Sequence, residues 1–176
     1  MPLQHYYRAV TTWAGAEHGS TASYEGYSRE YTVQIEGKPA FLGSADPTFR
    51  GDAARHNPED LLLMALSACH LLSYLALCAR AGIQVVSYED AATGTMARQE
   101  GKMRFTEVIL HPRVVIAEGS DLDKARALHH DAHEGCFIAS SVAFPVRHEP
   151  IVTTASATMP SGMTSDTTDL TNGRPA

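Results

Sequence analysis

The chain has 176 residues, enough for one domain with a core and too few for two comfortable ones. Its 44% hydrophobic and 19% charged residues exclude a disordered or collagen-like chain. A net charge of −6, with Lys and Arg scattered instead of gathered into a stripe, leaves no expected nucleic-acid partner, because binding a phosphate backbone needs such a stripe.

Residues 1–20 hold no continuous apolar segment with a cleavage pattern, so a cytoplasmic, reducing location is expected. Three cysteines there do not make a structural disulfide framework. In that setting a thiol pair is more often catalytic, redox-active or metal-binding.

Short alternating segments at 5–13, 21–24 and 31–35, separated by glycine-containing turns, predict antiparallel strands and hairpins. A polar loop over 44–56 carries Arg50 and Arg55. A helix then begins: Asn57 suits the N-cap, Pro58 the first helical position, and Glu59 and Asp60 the positive end of the helix dipole. It runs to Gly82, a residue suited to the left-handed position after a helix end, and forms a rod about 35 Å long.

No residue between 61 and 79 is charged, so the rod has the length of a membrane span. Ser67, His70, Ser73 and Tyr74, with strand patterns on both sides, argue instead for a buried helix and no membrane partner. A helix apolar all round is buried all round. One short chain cannot wrap it, so a partner subunit is expected to cover part of it.

Residues 85–96 and 104–116 predict one hairpin with its turn at 97–103. A second helix follows from Asp121 to about Glu134, capped by Ser120 and ended by Gly135. Residues 142–152 predict a last strand, at a sheet edge because of Pro145. The order is that of an α+β domain over residues 1–152, with a Thr-, Ser-, Gly- and Pro-rich tail over 153–176 expected to be disordered.

Cys69 sits in the middle of the long helix, where a free cysteine commonly packs as a small hydrophobe. Cys78 is half a turn out of phase and about 13 Å further along, so it cannot pair with Cys69 and is assigned to the core. Cys136 follows the second helix, and packing and chemistry both stay open for it. His129, His133 and Cys136 have spacing that could serve a metal, with Cys69 or His70 as further ligands. Glu59 lies about 15 Å from Cys69 along the same rod, so the two meet only across a subunit boundary or a bend. His70 diverges from Cys69 and is read as a polar core or interface residue.

The segment NPEDLLLMALSACHLLSYLAL, followed by GI and a strand hairpin, then a helix ending in AHEGCFIASSV, resembles the OsmC family, which includes the organic hydroperoxide resistance proteins. The resemblance covers roughly residues 6–152 and rests on NPE, ten residues to a helical cysteine, and a second cysteine after the next helix. It implies antiparallel sheets wrapped around a long central buried helix in an intertwined homodimer, with active sites at the subunit interface.

It also implies a thiol-dependent peroxidase acting on small organic hydroperoxides. Cys69 would be the nucleophile that becomes a sulfenic acid, Cys136 the thiol that closes the disulfide, and Glu59 the carboxylate that orients an activating cation. No bound cofactor or metal is implied. An external dithiol restores the thiols, and in hydroperoxide-resistance members that dithiol is a lipoyl group.

The chain differs from the family pattern in two places. The turn after the first strand reads GAEHGS, with His18 and no arginine, so Arg50 and Arg29 become the candidates for the activating cation, with Arg55 and Arg147 behind them. Arg50 is preferred because its loop leads into Glu59. Phe137 follows Cys136 where well-known members often have proline. The rival reading is a non-enzymatic dimer of the same fold that binds a small lipophilic ligand or a metal.

Overall fold

The computed structural model describes residues 4–155. Val10–Trp13 (β1), Tyr31–Gln34 (β2) and Phe41–Gly43 (β3) form an antiparallel sheet in that order, with Val33 opposite Thr11 on one side and Phe41 on the other. Residues 21–24, expected as a strand, are bends and turns. Their backbone groups are engaged locally: the Arg29 guanidinium donates to the Tyr24 carbonyl, and the Gly26 N–H donates to Ser23 Oγ. β3 was not anticipated.

The long helix, Pro58–Arg80 (α1), starts where its punctuation predicts. Asn57 Oδ1 accepts from the Asp60 N–H at 2.7 Å, and Asp60 Oδ2 accepts from the Asn57 N–H at 3.2 Å, a reciprocal capping box. Beyond its end, Gly82 takes φ +74°, the left-handed turn that glycine adopts without strain. Within one chain the rod buries only one stripe, Leu66, His70, Tyr74 and Cys78, four residues apart. Met64 and Leu72 remain 44% and 66% exposed.

The expected hairpin is real but divides between two sheets. Val85–Asp90 (β4) pairs with Pro112–Ile116 (β7), while Thr93–Gln99 (β5) pairs with Lys102–Leu110 (β6). Asp90 stands at the division, its carboxylate accepting from the His111 N–H at 2.7 Å and from Ser67 Oγ on α1 at 2.5 Å. The turn itself is tighter than expected, at Glu100 and Gly101, whose φ values of 50° and 80° suit a two-residue hairpin loop.

The second helix is Leu122–Glu134 (α2). Its cap is Asp121 and not Ser120: Asp121 Oδ1 accepts from the Lys124 N–H at 2.9 Å, whereas Ser120 Oγ accepts from the Gln84 N–H. The last strand is two, Val146–His148 (β8) beside β6 and Ile151–Thr154 (β9) beside β7. Both lie at sheet edges, as Pro145 predicts. Both run parallel to their neighbours, which corrects the purely antiparallel expectation. Thr153 and Thr154, assigned to the tail, belong to β9, and residues 156–176 of that tail lie outside the described residues.

Two apolar clusters hold these layers together. Tyr74 and Ile83 meet Val114, Ile116, Leu128 and Val152 where α1, α2 and the β4–β7–β9 sheet converge. Leu66 packs with Val108, Leu110, Phe144 and Val146 near the β5–β6–β8 sheet. The result is a mixed helix and sheet domain that suspends the middle of α1 beside the end of α2.

Candidate functional site

That placement brings two of the three cysteines together. Cys69, half-buried on α1, borders a cavity of about 590 Å³ with Leu72, Leu77, Arg80 and Phe137. Cys136, 1% exposed, comes just after α2 and is turned back toward the helix. The Cys69 side chain is a close neighbour of Cys136, near enough to act on its thiol.

Burial and the neighbouring Cys69 push the Cys136 thiol up to about 11, while the Ala139 and Ile138 N–H groups act the other way. The Ala139 N–H points at Cys136 Sγ from 3.4 Å, in the short 3₁₀ turn Ala139–Ser141. Cys78 is buried beside Tyr74, and burial raises its thiol as well. It serves the core, as its phase predicts.

Glu59 and Cys69 border different cavities. Glu59, at the start of α1, lines one of about 840 Å³ with Trp13, Tyr27, Tyr31, Phe49 and Arg29. Glu59 and Asp60, after burial, raise the Tyr31 hydroxyl above its usual range.

Arg29 is held firmly there. Its guanidinium donates to the carbonyls of Tyr24 and Tyr27 and lies 3.7 Å over the Tyr27 ring. Arg50 is exposed, adopts φ 64°, reaches within 5.9 Å of the Tyr24 ring and does not line this cavity. Arg55 pairs with Asp52 and Arg147 with Glu107. His18 is exposed at the end of a short 3₁₀ turn.

On the neighbouring face of α1, about 100° round the helix from Cys69, lies a group of rings. His70 Nε2 is 3.1 Å from His129 Nδ1, and both residues are fully buried. Burial, then His148, pushes His70 down to about 4. Burial, then His70 and His148, pushes His129 down to about 3.

The sequence signal for this group is the spacing of His129 and His133 on one face of α2, a spacing that could equally serve a metal. Among the described residues no group of three or more His, Cys, Asp or Glu side chains is disposed to hold a metal ion. The His129 ring instead meets His70, and Cys136 meets Cys69.

Comparison with known proteins bears on the whole arrangement. The model of the OsmC-like protein family matches residues 51–150, the stretch that carries α1, both cysteines and α2. An OsmC-like protein of unknown function from Vibrio cholerae has a similar structure, with 34% identity, a TM-score of 0.78, and cover of 84% of this chain and 100% of that one. An organic hydroperoxide resistance protein from Elizabethkingia anophelis shares the fold at 19% identity and a TM-score of 0.64, covering 88% and 100% of the two chains.

Among curated relatives, the uncharacterized protein YmaD of Bacillus subtilis is 25% identical over 89 residues, and the match spans 49% of this chain and only 59% of that protein's length. With the family model covering more than half of the sequence and the same fold in the Vibrio cholerae relative, the chain belongs to the OsmC-like family.

Proposed function

We propose that this protein is a thiol-dependent peroxidase that reduces small organic hydroperoxides to alcohols. The observation that carries the proposal is the contact between the Cys69 and Cys136 thiols, one facing a cavity and the other buried behind it. The names of fold relatives, such as the organic hydroperoxide resistance protein of Elizabethkingia anophelis, point to the same substrate class.

Cys69, as thiolate, attacks the distal peroxide oxygen. The O–O bond breaks, the alkoxide leaves and is protonated to the alcohol, and Cys69 becomes a sulfenic acid. The Cys136 sulfur displaces that hydroxyl as water and closes a Cys69–Cys136 disulfide. An external dithiol, such as a lipoyl group, then returns both cysteines to thiols and is itself oxidised to a disulfide. The chain needs no resident cofactor for this sequence of steps. The proposal includes a cytoplasmic, reducing setting, where such a dithiol is maintained.

The reading extends to a homodimer. α1 is long and apolar enough for a membrane span, yet one side of it already packs on the chain's own core, and its other side exposes Met64 and Leu72. We assign that side to a second copy of the chain and not to lipid. Antiparallel α1 helices side by side would bring the Glu59 end of one protomer toward the Cys69 region of the other. In this arrangement Arg29 is the better activating cation than Arg50, because it shares the Glu59 cavity.

The test is direct. Reduced protein mixed with cumene hydroperoxide should consume peroxide and join Cys69 to Cys136 in a peptide map. Peroxide consumption that persists undiminished in Cys69→Ser would overturn the proposal. The rival, a ligand-binding dimer, would instead retain a lipophilic molecule in native mass spectrometry and turn over no peroxide.

A further inference from the structure

Four histidines meet at the seam of α1, α2 and β8, and the thiol chemistry above uses none of them. His70 is next in sequence to Cys69 and is fully buried. Its ring stacks on that of His129, with centroids 5.4 Å apart, and lies 5.5 Å from that of His148. His133, one turn beyond His129 on α2, lies 5.1 Å from His148. Tyr74, one turn beyond His70 on α1, stacks on His129 at 3.8 Å and donates from its hydroxyl to the Ala125 carbonyl of α2.

Two neutral rings can share one N–H across the 3.1 Å between His70 Nε2 and His129 Nδ1. The outer nitrogens, His70 Nδ1 and His129 Nε2, have no hydrogen-bond partner, and neither has His133 Nδ1. The donor ring's outer nitrogen can therefore take up a proton, and no acceptor is placed for the N–H it would gain.

The groups acting on the pair are few. Asp90 on β4 favours charge on His70, but its carboxylate is already engaged by Ser67 and the His111 N–H. His148 and His133 oppose charge on His70, and His130 and His133 oppose it on His148. A proton added here creates a buried cation among imidazoles, and the relief open to it is separation of α2 and β8 from α1.

The seam also lies next to both thiols along the chain. Cys69 is the residue before His70, and Cys136 follows His133 by three residues at the end of the same α2. We propose that His70 and His129 are positioning residues for the thiol pair: as neutral, hydrogen-bonded rings they hold α2 on α1 and keep Cys136 at Cys69, and protonation releases that contact. Disulfide closure is then acid-sensitive beyond the ordinary loss of thiolate. The inference rests on the Cys69–Cys136 pairing of the preceding section but not on a peroxide being the oxidant.

Diamide makes the two separable, because it oxidises a nearby dithiol to the disulfide and is itself reduced to the hydrazine. Closure of Cys69–Cys136 by diamide is measured from about pH 7.5 to about pH 4, from above the usual histidine range down to where burial holds His70. Each rate is divided by the rate of Cys69 alkylation by iodoacetamide in Cys136→Ser, which corrects for the thiolate fraction. The ratio should fall about twofold at the acid end in the native protein, where His70 reaches half protonation, and stay level in a His70→Gln/His129→Asn variant, whose amides keep a hydrogen bond without titrating.

A level ratio in the native protein, or an equal fall in both proteins, overturns the inference and leaves the thiol pair standing. Failure of diamide to join Cys69 to Cys136 at any pH removes the pair and this inference together. If the double variant does not fold, histidine ring NMR of the native protein decides: the two buried rings must titrate together with the fall in the closure ratio. Titration without that fall overturns the proposal.

Discussion

At the scale of single residues, the burial of Cys136 beside a cavity-facing Cys69 separates the roles the proposal gives the two thiols. Cys69 and Cys136 could be singled out by their spacing around two punctuated helices, and the fold brings them into contact. Arg29 differs from Arg50 in the two tyrosine carbonyls and the ring that hold it, contacts made in bends and turns of which the sequence reads residues 21–24 as a strand. The buried state of Cys136 predicts a division of labour. Cys136→Ser should still consume one equivalent of hydroperoxide but stop at a Cys69 sulfenic acid, captured by dimedone and seen by mass spectrometry; full turnover with a dithiol in that variant would remove Cys136 from the cycle.

The histidines carry a second residue-scale prediction. His70 and His129 are held at about 4 and about 3, below the value near 6.5 expected in the unfolded chain. Between those limits the unfolded chain binds more protons, so stability is fully present above about pH 6.5 and is lost as the pH falls toward about 4. The urea midpoint should follow that course. It should fall less steeply in His70→Gln/His129→Asn, the comparison that separates these rings from carboxylates titrating in the same region.

At the scale of elements, what the sequence revealed depended on whether a signal was local. The α1 boundaries follow from Asn57, Pro58 and Gly82, whose effects act within one turn, and they were read correctly. The division of the long hairpin into two sheets depends on Asp90 reaching Ser67, 23 residues away, and no strand periodicity encodes that. The parallel pairing of β8 and β9 is likewise set by the return of the chain past α2, not by their own residues.

The cap offers a quantitative check on the local kind of signal. Asn57→Ala removes the acceptor for the Asp60 N–H and should cost about 1 kcal/mol, read as a lower urea midpoint with an unchanged slope. Because Glu59 sits in that first turn, peroxidase activity should fall along with stability if Glu59 is the orienting carboxylate.

At the scale of the whole molecule, α1 poses the main physical problem and the second copy is our solution to it. A 23-residue helix without a charged residue in its middle buries four side chains in its own chain, and a rod of that composition is stable in water only when the rest is covered. The uncovered side includes Leu72, which also borders the Cys69 cavity. Glu59 lines a different cavity near the other end of the same helix.

Assembly and activity should therefore fail together. Leu72→Glu adds a charge to the exposed side while leaving the buried stripe, the capping box and both cysteines in place. The mass in solution should drop from a dimer to a monomer by sedimentation, while the far-ultraviolet circular dichroism changes little. Peroxide turnover should decline about tenfold or more, since Glu59 no longer reaches the second protomer's thiol to orient its cation. Diamide should still join Cys69 to Cys136 in that monomer, because this contact is made within one chain. A Leu72→Glu protein that remained dimeric would place the subunit contact elsewhere, and a monomer with undiminished turnover would dismiss Glu59 from the neighbouring site.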